Sequence, residues 1–403
     1  MGFPGANTTT DHRNLFLSDE QIDAMQAKEA KERDPVRQKL GSPIKAPGRI
    51  LSFAIADQTA VLALASHKAA VANLTTKECQ KQQQIKHTGP VTAVALLSEK
   101  YTVNGSRIAL SASWDKTVKV WCVDQPTRVV AVLAGHADFV KCMAAHPTLP
   151  MVYTGSADKS VMIWKLPETL FTDAAAESPV EISPLKTIKG DHTGQIYAIA
   201  LDSTGSVLYS TGSDASIRAW DASTGQAAKV GNEIWEIERG HHKTNVFDIK
   251  VSENMLWTAS ADKTAVGWDM DTRKPDITMQ HKAFVTSVLP VMQAGVVITG
   301  TRGGDISVWR VSAGAPELIR EIHAHSDDVV CLRQQGRLFY SSSLDETLRV
   351  WDIKEVIDFK GGMSYVPPEL AALRQQPKKA AETMLTEDEE RELAELMDDL
   401  DEL

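Results

Sequence analysis

With 403 residues, 43% hydrophobic, 24% charged and only 6% aromatic, the chain has the make-up of a folded protein with a substantial core, which excludes a disordered or fibrous polymer. Four cysteines, Cys79, Cys122, Cys142 and Cys331, stand apart without a CxxC pair, so they read as free, mostly buried thiols in a reducing compartment and not as zinc ligands or a disulfide framework. The formal charge of −10 is concentrated at one end, because the last 18 residues hold ten acids against one arginine and leave the rest of the chain close to neutral.

In chain order, the opening "MGFPGANTTTDHRN" lacks the apolar stretch of a secretory signal, and no apolar run approaches the roughly 18 residues of a membrane helix. A cytosolic or nuclear residence with no membrane contact is expected. Gly2 starts part of a myristoylation pattern, but Ala6 stands where Ser or Thr is required. Ser18 to about Asp34 reads as a charged helix opened by a capping box of Ser18 and Gln21. Residues 27 to 49 are the most basic stretch, yet acids are interleaved and no aromatic side chain is there to stack on a base, so a solvated segment is favoured over direct nucleic-acid binding. The next segment, "PGRILSFAIADQTAVLALASHKAAVANLTTKECQKQQQI", alternates strand runs and turns without a further signature.

From there one pattern repeats. "SASWDKTVKVW" returns as "GSADKSVMIW", "GSDASIRAW", "SADKTAVGW" and "SSLDETLRVW", and the units end at Trp121, Trp164, Trp220, Trp268, Trp309 and Trp351, with spacings of 43, 56, 48, 41 and 42. Runs rich in Val, Ile, Thr and Ser between Gly, Asp, Asn or Pro make these units strands and turns, and a period near 40 to 45 suits a four-stranded propeller blade. Asp115, Asp158, Asp214, Asp262 and Asp345 each precede their Trp by six residues, and a histidine such as His136 stands roughly 25 to 35 residues before each Trp. The two long spacings come from "LPETLFTDAAAESPVEISPLKT" and "GQAAKVGNEIWEIERGHHK", read as surface excursions, the first a spacer or a binding loop, the second carrying Trp235.

On these residues the chain resembles the WD-repeat β-propeller family over about residues 42 to 352. The resemblance implies an all-β, seven-bladed WD-repeat propeller whose first blade, residues 47 to 85, is degenerate, with a short helical N-terminal segment and an acidic helical or disordered C-terminal tail. Three regions follow: a polar extension over 1–36, the propeller over 37–356, and a linker with the tail over 357–403. Residues around Arg37 to Ile44 are expected to supply the outer strand that closes the last blade.

In the family the His, Ser/Thr, Asp and Trp of each unit form a hydrogen-bond network inside a blade, which implies structural roles for His136, Asp115, Trp121, Asp158, Trp164, Asp214, Trp220, Asp262, Trp268, Asp345 and Trp351. A hydrolase triad needs a single nucleophile beside an oxyanion hole, whereas this set appears five times with a tryptophan attached. No catalytic residue, cofactor or metal ligand is expected. In "TGTRGGDISVW" Gly303 takes the turn-Asp position, so that unit's network is incomplete, with Asp305 two residues on as a possible substitute, and softness is expected there and in the first blade. The Gly pairs at 303–304 and 361–362 lack a phosphate-loop context.

The family places the residue before each turn Asp on the rim of the narrower face. That column here is Trp114, Ala157, Ser213, Ala261, Arg302 and Leu344, of which Trp114, Arg302 and Leu344 are the candidate partner-binding residues, since Trp and Arg dominate interface hot spots. The alternative for Trp114 is that it folds over the first blade. In the tail, Leu393, Leu396, Met397, Leu400 and Leu403 share one helical face, a stripe that needs a groove or a basic surface to become ordered. Two functions are carried forward: a non-catalytic scaffold or adaptor presenting a propeller face in a nuclear or cytosolic assembly, and an escort for a basic client such as a ribosomal protein or histone through the acidic tail. An enzyme is the third class, and the oligomeric state is open.

Overall fold

A computed structural model of the chain describes residues 31, 34–80, 84–171, 178–230, 233–234, 236–237, 241–311, 315–360 and 363–366. The helix read at Ser18–Asp34, Trp235 and the tail stripe Leu393, Leu396, Met397 and Leu400 all lie outside them, Lys31 and Asp34 excepted.

The β-branched runs separated by tight polar turns fold, among the described residues, into one small two-stranded hairpin and seven blade sheets of sequential antiparallel strands. Their innermost strands are Ile50–Ala56, Val91–Leu96, Val140–Ala145, Ile196–Leu201, Val246–Ser252, Val285–Val291 and Val329–Gln335, which number the blades 1 to 7. Each packs against the next, and blade 1 against blade 7, so the ring is closed: a seven-bladed β-propeller. The core lies between blades, where Phe53, Trp164, Trp257 and Trp268 are almost wholly buried, each burial stabilising by about 1.5–3 kcal/mol.

Blade 1 is hidden in the sequence for a physical reason. At the places where the other blades put His, Ser/Thr and Trp it has Ala46, Leu62 and Ala72, all buried in one apolar cluster. Aliphatic packing replaces the polar network, while the turn keeps its left-handed residue, His67 at φ 67°, where blades 2 and 3 have Lys116 at 72° and Lys159 at 67°.

Blade 7 takes its fourth strand from the other end of the chain. Ile44 pairs with Leu348 and Lys45 with Thr347, flanked by Val350 N–H donating to Gly41 O and Ala46 N–H to Glu346 O. The expected closing stretch therefore differs in part: Pro35–Lys39 is a helix, α1, capped by Asp34 with Pro35 in its first turn, and only Ile44–Lys45 is strand. The buried Arg349 guanidinium donates to the carbonyls of Arg37 and Leu40, fastening α1 to the blade.

Two other segments depart from the reading. The first long insertion is more than a surface excursion, because Val180–Ile182 returns to pair in parallel with Val129–Ala134, the outer strand of blade 2. After blade 7, helix α2, Ile353–Asp358, is followed by Met363–Tyr365, which exchanges two backbone hydrogen bonds with Glu321 on the outer strand of blade 6. In the second insertion Lys229–Val230 pairs with Glu233–Ile234 as a hairpin before Glu236–Ile237 completes blade 4.

Candidate partner-binding rim

Each blade's network is a directed chain of hydrogen bonds. In blade 3, Trp164 Nε1 donates to Thr154 Oγ1 at 2.8 Å, Thr154 lies 2.7 Å from His136 Nε2, and His136 Nδ1 is 2.9 Å from Asp158 Oδ2. Giving every hydrogen an acceptor fixes one tautomer, with the imidazole proton on Nδ1. Blade 4 repeats it with Trp220, Ser210, His192 and Asp214, blade 5 with Trp268, Thr258, His242 and Asp262, and blade 7 with Trp351, Ser341, His325 and Asp345. In blade 2, Asp115, His87 and Ser111 are linked, but Trp121 Nε1 has no acceptor among the described residues. The imidazoles of these five network histidines are at most 2% exposed.

The aspartates tie these chains to the rim. Burial alone would raise the Asp158 carboxyl, yet donors from His136, Ala137 N–H and the Ser160 backbone and hydroxyl hold it well below the usual carboxylate range, and Asp115, Asp214, Asp262 and Asp345 are held down likewise. Blade 6 differs. Asp305 does not substitute for the missing aspartate: its carboxylate lies 2.8 Å from His323 Nδ1, while His281 Nδ1 reaches only the Met279 carbonyl at 3.2 Å. Burial pushes the His281 imidazole down to about 4.

Beside each turn, the residue before the aspartate donates its N–H to the carbonyl just ahead of the innermost strand. Trp114 reaches Pro90, Ala157 Phe139, Ser213 Gln195, Ala261 Asn245, Arg302 Phe284 and Leu344 Asp328, and blade 1 joins them through Ala65 and Arg49. All seven therefore stand at equivalent places on one rim. The three candidates do not converge. Arg302 and Leu344 are neighbours on blades 6 and 7 that share Asp328, whose carboxylate lies 3.5 Å from the Arg302 guanidinium. Trp114 is on blade 2 and turns away from blade 1 to stack on Phe139 of blade 3, with ring centroids 4.9 Å apart and planes 14° apart.

The Trp114 ring belongs to a run of side chains that the column of turn residues does not contain. Every innermost strand has a register shift after its first residue, the mark of a β-bulge. The bulged residues Leu51, Thr92, Lys141, Tyr197, Phe247 and Val330 line the mouth of the central channel. The Lys141 ammonium sits 5.8 Å from the Trp114 ring and 5.3 Å from that of Tyr197, and Tyr197 meets Phe247 edge-on at 5.7 Å. Burial lowers the Lys141 pKa. Trp114 and Phe139 stay 40% and 38% exposed, so an aromatic band with one cation crosses blades 2 to 5 with its outer end open to solvent.

Among the described residues no helix is long and apolar enough to cross a membrane, and no three His, Cys, Asp or Glu side chains converge as a metal-ligand set.

Seven bulged blades, four of them knit by complete His–Ser/Thr–Asp–Trp chains, define a WD-type propeller. The sequence pattern described as WD domain, G-beta repeat matches residues 78–122, 127–165, 182–221 and 316–352. An uncharacterized WD repeat-containing protein of Schizosaccharomyces pombe is 32% identical over 322 residues, 78% of this chain and 78% of that protein. The chain belongs to the WD-repeat family. Ribosome biogenesis protein YTM1 of Podospora anserina is 24% identical, over 64% of this chain and 59% of that protein. Among solved structures, a chain in the crystal structure of the mitotic checkpoint complex shares the fold at a TM-score of 0.60 and 20% identity, covering 77% of this chain and 90% of that one.

Proposed function

We propose that this protein is a non-catalytic scaffold that binds a protein partner on the rim of blades 2 to 5, inside a multiprotein assembly of the nucleus or cytosol. The observation that carries this reading is the open stack of Trp114 on Phe139, continued inward by Lys141, Tyr197 and Phe247. Large aromatic area on a stiff frame costs little conformational entropy on binding, and such residues dominate interface energies. Arg302 and Leu344 form a second, more polar contact on the same rim. The His–Ser/Thr–Asp sets speak against a hydrolase because their imidazoles are buried and committed to tryptophan-linked chains. The relatives include a ribosome biogenesis protein, and the fold recurs in a checkpoint complex, both consistent with work inside assemblies.

The test is affinity capture with mass spectrometry, comparing the intact chain, a Trp114→Ala/Arg302→Glu variant and a chain ending at Lys379. Loss of the main partner in the rim variant alone supports the scaffold. Loss only on truncation, with basic proteins disappearing, replaces it with the escort reading.

A further inference from the structure

The rim has a second feature, on the side away from the aromatic band. A cleft of about 510 Å³ opens between the N-terminal clasp and blade 7. Five cations line it, Lys31, Arg37, Lys45, Arg49 and Arg349, against two acids, Asp345 and Glu346. Lys31, Arg37 and Arg349 donate hydrogen bonds to the carbonyls of Gly303, His325 and Leu40, which hold their charges in place, and only two loose ion pairs offset them, Arg37 with Asp34 at 3.9 Å and Arg349 with Asp345 at 4.0 Å, among the described residues. Asp345 is already engaged by His325 and Thr347. Lys45 and Arg49 are exposed, and their side chains have no hydrogen-bond or ion-pair partner among the described residues. Because the rest of the chain before Thr386 is close to neutral, this is a local excess of positive charge. Leu344 and Pro43 add apolar surface to the same walls.

Where the described chain ends supplies the occupant. Met363–Tyr365 lies along blade 6, and the Tyr365 ring packs on Trp351 of blade 7, whose indole meets Gly41 of the clasp. The chain thus leaves the described structure at the blade 6–7 seam, next to the elements that form the cleft. About 20 residues then precede Thr386, a reach of up to about 65 Å at ~3.3 Å per residue. The segment that follows carries ten acids against one arginine and a stripe of Leu393, Leu396, Met397 and Leu400.

We propose that residues 386–403 dock in cis on this cleft, their acids facing Lys31, Arg37, Lys45 and Arg49 and their leucine stripe facing Leu344 and Pro43. The tail then covers the blade 7 side of the rim and leaves the aromatic band on blades 2 to 5 open. The docking holds whether or not the aromatic band binds a partner.

Zero-length carbodiimide cross-linking of the intact chain tests this, because it joins a lysine to a carboxylate only where they touch. The expected products are links from Lys31 or Lys45 to carboxylates within 386–403, in the monomer band, falling at least fivefold at 0.5 M salt where charge attraction is screened to within about 4 Å. In the full-length Lys45→Glu/Arg49→Glu variant, whose replaced side chains are exposed, the Lys31 links should fall by a similar factor. Tail links spread evenly over rim lysines of other blades, such as Lys116 and Lys263, would overturn the proposal. So would links found only in a dimer band, which would give the site to a second copy's tail.

Discussion

Replacing Asp158 by asparagine asks how much one blade network contributes. The carboxylate is 7% exposed and receives four hydrogen bonds: His136 Nδ1 at 2.9 Å, Ala137 N–H at 2.9 Å, Ser160 N–H at 2.9 Å and the Ser160 hydroxyl at 2.5 Å. An amide keeps the shape but turns one acceptor into a donor. Facing its NH2 toward Ser160 is the cheaper choice, since that hydroxyl can rotate and accept, but it leaves the Ser160 N–H opposed. Two bonds to a charged acceptor are then lost, at about 1.5 kcal/mol or more each, giving a destabilisation of about 3 kcal/mol. Urea unfolding followed by tryptophan fluorescence measures it, as a lower midpoint at unchanged slope. The pH dependence carries a second check. Because the folded carboxyl is held below its ordinary 3.8, the stability it contributes is present above about pH 4 and is lost as pH falls through and below that value. The gap between parent and variant should therefore close below pH 4. A gap under about 0.5 kcal/mol at neutral pH, or one that is independent of pH, would refute the reasoning.

The clasp is tested at Gly41, which has φ 68° and would place a Cβ 2.6 Å from the Trp351 indole. Gly41→Ala should cost about 3 kcal/mol, combining left-handed strain with overpacking, and an unchanged thermal midpoint would contradict the clasp's part in closing blade 7. His281, pushed down to about 4 by burial, is neutral in the fold, so the stability it contributes is complete above about pH 6.5 and drains as pH falls toward 4. A shift of that size corresponds to a few kcal/mol; His281→Leu should flatten stability against pH in that window, and a parallel decline in both proteins would contradict it. On the rim, Phe139→Ala should weaken partner capture by tenfold or more while leaving the urea midpoint within about 0.5 kcal/mol, as expected of a half-exposed hot spot; unchanged affinity by surface plasmon resonance would contradict its place in the band.

The six tryptophans made most of the ring legible, because a buried polar network reuses the same side chain types each time, with the Ser/Thr ten residues before each linked Trp and the His at a looser distance. Blade 1 kept the strand rhythm alone, since Ala46, Leu62 and Ala72 solve the same packing problem without polar atoms. Gly303 was legible as a gap, but the fate of Asp305 was not: a two-residue shift along a strand turned its carboxylate to His323 instead of His281. The two added edge segments, Val180–Ile182 and Met363–Tyr365, carry no signature because an outer strand is specified mainly by the backbone groups it meets. The turn column pointed to Trp114 and missed its companions. Phe139, Tyr197 and Phe247 flank the first residue of their innermost strands in "DFVK", "QIYA" and "NVFD", and only the repeated bulge turns them into one surface.

Hydrogen–deuterium exchange of the intact chain, alone and with the partner it captures, tests the rim most directly. Slowed exchange should fall on the stretches 88–92, 113–116, 138–141, 195–197 and 245–247, which carry the aromatic band across blades 2 to 5. Slowing confined to the opposite face, at 146–151, 202–207 and 292–295, or to the outer edge of blade 5 at Lys274–Gln280, would contradict the account.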